Sequence, residues 1–432
     1  MRRRTFLGAM PLAAAPPLLA GCGTGAENRA GATLVFWSWV PGIDKAVALW
    51  NRTHPQIQVD LQDTPAGSNG TYAKMYAAIR GGRGGPDVAQ VEYQELPGLV
   101  LENGMADLGP LGMRRIASRF VDWQLAQCTF EGHVYAVPQA SGPMGLFYRR
   151  DIFSTLHLDP PTTWQEFADA AEAIHRSDPK RYICTFPPGN SAWFAALAWQ
   201  AGARWFGVDG STWKVTIDTP TTIKVAEYWD DLRKRGVIAT MPDFSNSWYA
   251  DLQNGNIATW PSAQWGQSML AGNAPKTSGK WSLSSLPQWD ASDTPRSANW
   301  GGSATGVFAN SPHQAEAAQF AMWLNTAPES IDILIAGGAG WPAVKGGSKG
   351  TALDEADPFL NGQNAGRDVF IEADANIDTK WQWGPTTANT YAHLNDAFAA
   401  AVAGNGSFAG AVRKAQEETV RDLRAKGLTV EG

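Results

Sequence analysis

Histidine is scarce, with six residues scattered singly along the chain and none spaced from another as metal ligands are. The sequence also lacks Gly-x-x-x-x-Gly-Lys-Ser/Thr and His-Glu-x-x-His, which excludes the phosphate-cradling loop and the helical zinc site those patterns build. No catalytic residue, metal or cofactor is expected. Charged side chains are sparse as well, at 18%, and the net charge of −6 gives no electrostatic reason to expect nucleic acid or an anionic membrane surface as a partner. The apolar run from Phe6 to Leu19 is too short to span a bilayer and carries Pro11, Pro16 and Pro17. Carboxylates are not lacking, so the opposed pair of a glycosidase stays open.

What the chain has in excess is tryptophan, with 20 residues, and glycine, with 45. Core packing alone accounts poorly for so many indoles, because each is large and its N–H needs a partner when buried. A length of 432 residues exceeds what one apolar core organises, so two domains are expected. Residues 1–22 read as a targeting segment: Arg2, Arg3 and Arg4 precede the apolar run, and Leu19-Ala20-Gly21-Cys22 fits a bacterial lipobox. Cleavage before Cys22 and its acylation predict a lipid anchor on the extracytoplasmic face of the cell membrane. Arg3-Arg4-Thr5-Phe6-Leu7 is similar to a twin-arginine export signal, although a general secretory signal also starts with positive charge.

After a tether over residues 23–31, strands are predicted at 33–39, 57–61 and 87–91, with helices at 43–52 and 72–80 between them. This β-α-β-α-β order points to an α/β fold with a mostly parallel sheet. Two apolar runs, 134–137 and 146–148, then flank Pro138, Gly142 and Pro143, which interrupt any continuous central strand. A crossing from one sheet to another fits this break, as does an ordinary loop. Further on, Thr163 and Glu166 predict a capping box, and helices are predicted at 221–235, 387–402 and 408–425.

Several of these stretches resemble family 1 of the extracellular solute-binding proteins, the sugar-binding subunits of ABC importers. The opening matches at Asn51, His54, Pro55, Gly85, Pro86, Asp87 and Val88, and the crossover at Gly132, Tyr135, Pro138, Tyr148 and Asp151. The resemblance implies a two-lobed, type II periplasmic-binding-protein-like fold with a three-segment hinge. Residues 32–138 plus 288–340 would form the N-terminal lobe, and 139–287 plus 341–432 the C-terminal lobe, with later crossings near 283–287 and 337–343. It implies a monomer that hands a carbohydrate to ABC importer membrane subunits. Cys128 and Cys184 would then lie on opposite sides of the hinge as buried free thiols, since a bond between lobes would lock the motion. One departure is that Ala140 and Ser141 stand where many relatives carry Asp.

Trp37, Trp39, Trp260, Trp265, Trp300, Trp341 and Trp383 fall at loops beside predicted strand ends, where open α/β sheets bind ligands. A pyranose offers flat C–H faces to an aromatic platform and hydroxyls to amides and carboxylates. For Trp265 the resemblance implies stacking on sugar. Glu92 and Gln94 follow the third strand, Gln139 lies in the crossover and Asn299 neighbours Trp300, and these supply the expected polar contacts. Each of these residues also fits core, hinge or surface packing. Trp50, Trp164, Trp199, Trp229 and Trp323 lie in helical patterns and are expected in the core. The expected function is capture of a mono- or oligosaccharide by hinge closure. The alternatives are a surface glycoside hydrolase or lyase, and a binding protein for a glycerol phosphodiester, polyamine or peptide.

Overall fold

The computed structural model describes residues 31–67, 70–291 and 295–432; the targeting segment, Cys22 and the tether up to residue 30 lie outside them. Nine strands position the site: β1 (Ala32–Ser38), β2 (Ile57–Asp63), β3 (Val88–Glu92), β4 (Ala136–Ser141), β5 (Met144–Arg149), β6 (Thr259–Ala263), β7 (Trp281–Ser285), β8 (Ser303–Val307) and β9 (Trp341–Pro342). In β1, Leu34, Phe36 and Ser38 are buried while Val35 and Trp37 are half-buried, the two-residue alternation of a strand with unlike faces. Leu34 and Phe36 enter an apolar cluster with the helices Ile43–Thr53 and Gln314–Thr326, where Phe36 meets Phe320 edge-on at 5.3 Å. Trp50 is buried in the same cluster, and its indole N–H donates to the Ile57 carbonyl at 2.8 Å, tying the helix to the start of β2.

β1 pairs in parallel with β2 and β3, and β8 returns antiparallel between β3 and β4, giving the order β9-β4-β8-β3-β1-β2. The second lobe centres on the antiparallel sheet β6-β5-β7, with the helices Trp164–Ser177, Pro220–Lys234, Thr387–Val402 and Phe408–Ala425 around it. The predicted capping box is present: the Thr163 hydroxyl accepts from the Glu166 amide, and the Glu166 carboxylate accepts from the Thr163 amide. Trp50, Trp164, Trp199 and Trp229 are buried as their helical spacing predicts, whereas Trp323 is half-buried, tilted against Trp50. Cys128 and Cys184 are both buried and free, and burial pushes both thiols above their ordinary range.

The crossover differs from its sequence-based expectation at Pro138, which lies inside β4 and does not end it. Ser303 pairs with Ala140 and Ala304 with Pro138, so Gln139 is the extra residue of a bulge and the missing proline N–H falls where the ladder is already irregular. The break narrows to Gly142 and Pro143. Two later passages of the chain lie alongside it: Pro143 bridges to Asn299, and Trp341 pairs with Ser141. The Gly142 amide donates to Asn299 Oδ1 at 2.7 Å, and the Trp300 amide donates to the Gly142 carbonyl at 2.9 Å. The second passage comes later than the expected 283–287. β7 keeps Leu283 paired with Phe147, and Gln288 exchanges backbone hydrogen bonds with Thr162 and Trp164, so the chain stays with the second lobe until Asn299.

The three straps touch so closely that one carbon is too many. A β-carbon on Gly142 would stand 2.1 Å from the Trp300 carbonyl oxygen, a backbone atom that cannot rotate away. Gly142→Ala is expected to lower stability by about 1–3 kcal/mol, read as an earlier denaturant midpoint. A midpoint equal to that of the native protein would show that the straps are not packed in this way.

Candidate functional site

The predicted site residues gather into two groups, one on each lobe. On the first lobe, the ends of β1 and β3 deliver Trp39, Glu92, Gln94 and Glu95. Gln90, inside the sheet, fixes this edge: its Oε1 accepts from the Ser38 hydroxyl at 2.9 Å and from the Trp39 amide at 3.1 Å. Its Nε2 donates to Ser303 Oγ at 3.3 Å, and that hydroxyl donates to Gln139 Oε1 at 2.9 Å. The row crosses four strands, and Gln139 ends it as a buried member of the sheet. Trp39 is half-buried and meets Tyr72 edge-on at 5.8 Å. The Tyr72 hydroxyl donates to Glu92 Oε2 at 2.9 Å and accepts from the Glu92 amide at 3.0 Å.

Glu95 is buried one residue beyond Gln94, itself buried, and accepts from the Tyr76 hydroxyl at 3.5 Å. Burial and the Glu92 charge push its carboxyl up to about 8. Burial also raises Glu92, with hydrogen bonds from Tyr72 and Gln94 in partial opposition. Tyr391, on a helix of the second lobe, has its hydroxyl raised first by burial and then by both carboxylates, so the acidic edge is felt across the lobe boundary. Among the described residues, no Lys, Arg or His forms an ion pair with Glu92 or Glu95.

The second wall is aromatic. Trp260 lies inside β6, paired with Phe147, and not in the loop position expected of it; Trp265 follows two residues past the strand's end, and Trp300 arrives on the second strap. Ring centroids lie 4.7 Å apart for Trp265 and Trp300, 6.0 Å for Trp260 and Trp265, and 6.1 Å for Trp260 and Trp300. The Trp265 indole N–H donates to the Trp300 carbonyl at 3.0 Å, which fixes the ring plane. Trp260 and Trp300 are buried and back the group, while Trp265 is half-buried. Asn299 holds the strap: its Oδ1 accepts from Gly142 and its Nδ2 donates to the Gly301 carbonyl at 2.7 Å.

The remaining tryptophans stand apart from this group. Trp37 is half-buried, its indole N–H donating to Gln62 Oε1 on the neighbouring strand at 2.8 Å. Trp341 is buried on the third strap and connects to the group through Phe370 and Phe147. Trp383 is buried beside Trp381, which stacks on Trp199 at 4.9 Å and 8°. A cavity of about 120 Å³ lies next to it, lined by Pro97, Gln127 and Phe130 on one side and by Trp213 and Trp383 on the other.

Sequence reasoning missed four participants. Trp248 and Phe244 complete the aromatic wall, at 5.0 Å and 6.1 Å from Trp260. Asp243 accepts from the Asn190 amide at 2.6 Å, and burial pushes its carboxyl up to about 6. Asp374 accepts from the Ser141 hydroxyl at 3.4 Å and is likewise pushed up to about 6 by burial. A carboxylate therefore stands beside the crossover even though Ala140 and Ser141 supply none. No sequence signal near Ser141 points to residue 374, because the two meet only through the third dimension. The pattern Gly346-x-Ser348-x-Gly350, shared with nucleophile elbows, lies in a run of turns and not between a strand and a helix.

Residues 37–330 match the family described as bacterial extracellular solute-binding protein. The arabinooligosaccharide-binding protein of Halalkalibacterium halodurans is 24% identical over 307 residues, covering 68% of this chain and 67% of that protein. Among solved structures, the galacto-N-biose-/lacto-N-biose I-binding protein of an ABC transporter from Bifidobacterium longum, in complex with lacto-N-biose, superposes with a TM-score of 0.84 at 25% identity, over 93% of this chain and 99% of that one. The ABC transporter associated binding protein from B. animalis subsp. lactis Bl-04, in complex with β-1,6-galactobiose, superposes with a TM-score of 0.83 at 23% identity, over 93% and 100%. These neighbours share the two-lobed type II architecture that the sequence predicts. With the match running from residue 37 to residue 330, more than half of its length, the chain belongs to the bacterial extracellular solute-binding protein family.

Proposed function

We propose that this protein captures a neutral mono- or oligosaccharide between its lobes and delivers it, chemically unaltered, to the membrane subunits of an ABC importer. The observations that support this reading are an indole platform on the second lobe, Trp265 backed by Trp260 and Trp300, and an edge of carboxyl and tyrosine hydroxyl groups on the first. Apolar sugar faces stack on the first, and hydroxyls bond to the second. Trp39 and Glu92 complete the first wall. Gln94, Gln139, Asn299, Trp300 and Trp341 act behind them by holding sheet edge and straps, with Trp37 and Trp383 at the margins. The relatives that bind arabinooligosaccharide, lacto-N-biose and β-1,6-galactobiose support the ligand class.

Closure follows from the two walls, because a sugar that touches both favours the closed arrangement over the open one. A micromolar dissociation constant corresponds to about −8 kcal/mol, which a few stacked rings and hydrogen bonds supply after ordering costs. A phosphodiester would meet buried carboxyl groups with no paired cation. The protein works as a monomer, anchored by acylated Cys22 outside the cell membrane after export by the general or twin-arginine route. Among the described residues no helix is long and apolar enough to cross a membrane.

Titration of the soluble form starting after Cys22 with galactose, β-1,6-galactobiose, arabinotriose, maltose and maltotriose is expected to give a saturable tryptophan fluorescence change with intact sugar recovered. Trp265→Ala is expected to weaken that binding more than tenfold with little loss of fold. Released products over time would favour an enzyme, and an unchanged Trp265→Ala titration would remove that indole from the site.

The acidic edge predicts a pH dependence. Glu95 titrates near 8 when folded and near the ordinary carboxylate value when unfolded, so between those values the folded state holds more protons and stability falls as pH rises. Asp243 and Asp374 act in the same direction only up to about 6. Glu95→Gln is therefore expected to flatten the fall in thermal midpoint between pH 6 and 8. A fall equal to that of the native protein would show that Glu95 is not held as the acid.

A further inference from the structure

The helix Asp122–Gln127 of the first lobe turns one face toward the second: Trp123, Gln124 and Gln127 are all buried, and each leads across the boundary. Trp123 meets Trp199 edge-on at 6.2 Å, and Gln127 Nε2 donates to the Trp381 carbonyl at 3.0 Å. Between them runs a chain of hydrogen bonds. The Tyr93 hydroxyl donates to Gln124 Oε1 at 3.1 Å, Gln124 Nε2 donates to Ser141 Oγ at 3.2 Å, and Ser141 Oγ donates to Asp374 Oδ1 at 3.4 Å. Tyr93, Gln124 and Ser141 are each 0% exposed, so water replaces none of their bonds. Every donor points the same way, because the Gln124 amide fixes the direction. Its oxygen is taken by Tyr93, which leaves its nitrogen for Ser141 and the Ser141 proton for Asp374. The chain starts beside β3, passes through the strap at the end of β4, and ends on the second-lobe helix Ile371–Ala375, whose neighbour Phe370 packs on Phe147 of β5.

Asp374 is half-buried against the strap, and among the described residues no Lys, Arg or His forms an ion pair with it. From the first lobe it faces the Tyr93 hydroxyl, which is raised by burial and then by Cys128 and Asp374. On its own helix Glu372 is exposed, and around it Asp368 is taken by Arg367, Asp378 by Arg204 and Arg149 of β5 by Asp151. Burial pushes the Asp374 carboxyl up to about 6, a rise the Ser141 bond only partly opposes. An arrangement that carried Asp374 out to water would return it toward the ordinary carboxylate value. The present arrangement therefore holds the proton more firmly. Its advantage is full below the ordinary carboxylate value, falls as pH rises and is gone above about 6. We propose that this hydrogen-bond chain is a proton-sensitive lock on the hinge: with Asp374 in its acid form it ties the helix Asp122–Gln127 to the second lobe, and deprotonation releases the lobes to turn about the straps. The lock is made of straps and lobe contacts, and it stands whether or not the ligand is a sugar.

Pulsed electron spin resonance on the ligand-free soluble form starting after Cys22 tests it, with labels at Lys45→Cys and Glu227→Cys, exposed positions on one helix of each lobe. Cys128 and Cys184, both buried, stay unlabelled. In the otherwise native protein a second interlobe distance is expected to gain about tenfold over the first between pH 5 and pH 7.5, with the change complete soon after pH 6. Asp374→Asn, a neutral residue of the same shape, should keep the acid pattern at both pH values. Ser141→Ala, which cuts the chain, should show the second distance already at pH 5. One unchanged distance from pH 5 to 7.5 in the otherwise native protein would overturn the lock. So would a pH response of full size in Asp374→Asn, or a Ser141→Ala pattern equal to the native one. With no sugar added, none of these results bears on the carbohydrate reading.

Discussion

The hydrogen bond from the Trp265 indole to the Trp300 carbonyl joins the two things this protein has to coordinate. Trp265 is the half-buried plate of the aromatic wall, and Trp300 belongs to a strap between the lobes. The Trp300 amide in turn donates to Gly142 on the neighbouring strap, and Asn299 accepts from the same glycine. Plate and hinge are thus one hydrogen-bonded unit. Indole orientation follows strap geometry, which gives lobe movement a direct route to the surface proposed to hold the ligand.

The opposite wall is built on a different principle. Glu92 and Glu95 stand at the end of a strand, shielded by Tyr72, Tyr76 and Tyr391 and lacking an ion-pair partner among the described residues. Unpaired carboxyl groups in a low-dielectric setting shift toward the neutral acid. A neutral acid both donates and accepts hydrogen bonds, which matches the dual character of a sugar hydroxyl. Glu95, pushed up to about 8, holds its proton at neutral pH and can offer a sugar hydroxyl both a donor and an acceptor.

Much of the fold was legible because it is written in local patterns. The alternation in β1, the Thr163 and Glu166 capping box and the helices Thr387–Val402 and Phe408–Ala425 all follow from spacing that neighbouring residues set. Pro138 misled because proline's missing donor matters only where the ladder is regular, and a bulge removed that condition. At the site, Trp260, Trp265 and Trp300 were visible as aromatics near strand ends. Gln139 and Asn299 looked like ligand contacts but serve the sheet and the strap, a distinction that depends on which backbone atoms lie opposite them. Phe244 and Asp374 left no trace in the sequence. The first depends on a backbone angle, and the second on a meeting between segments more than two hundred positions apart.

The central claim is that a saccharide is held by both lobes at once. A crystal structure of the protein with a bound oligosaccharide tests it most directly. The account predicts a sugar ring lying flat on Trp265 while hydroxyls of the same molecule reach Glu92 or its neighbours on the first lobe. A sugar seated elsewhere, or one contacting a single lobe with the indole plate bare, would contradict it.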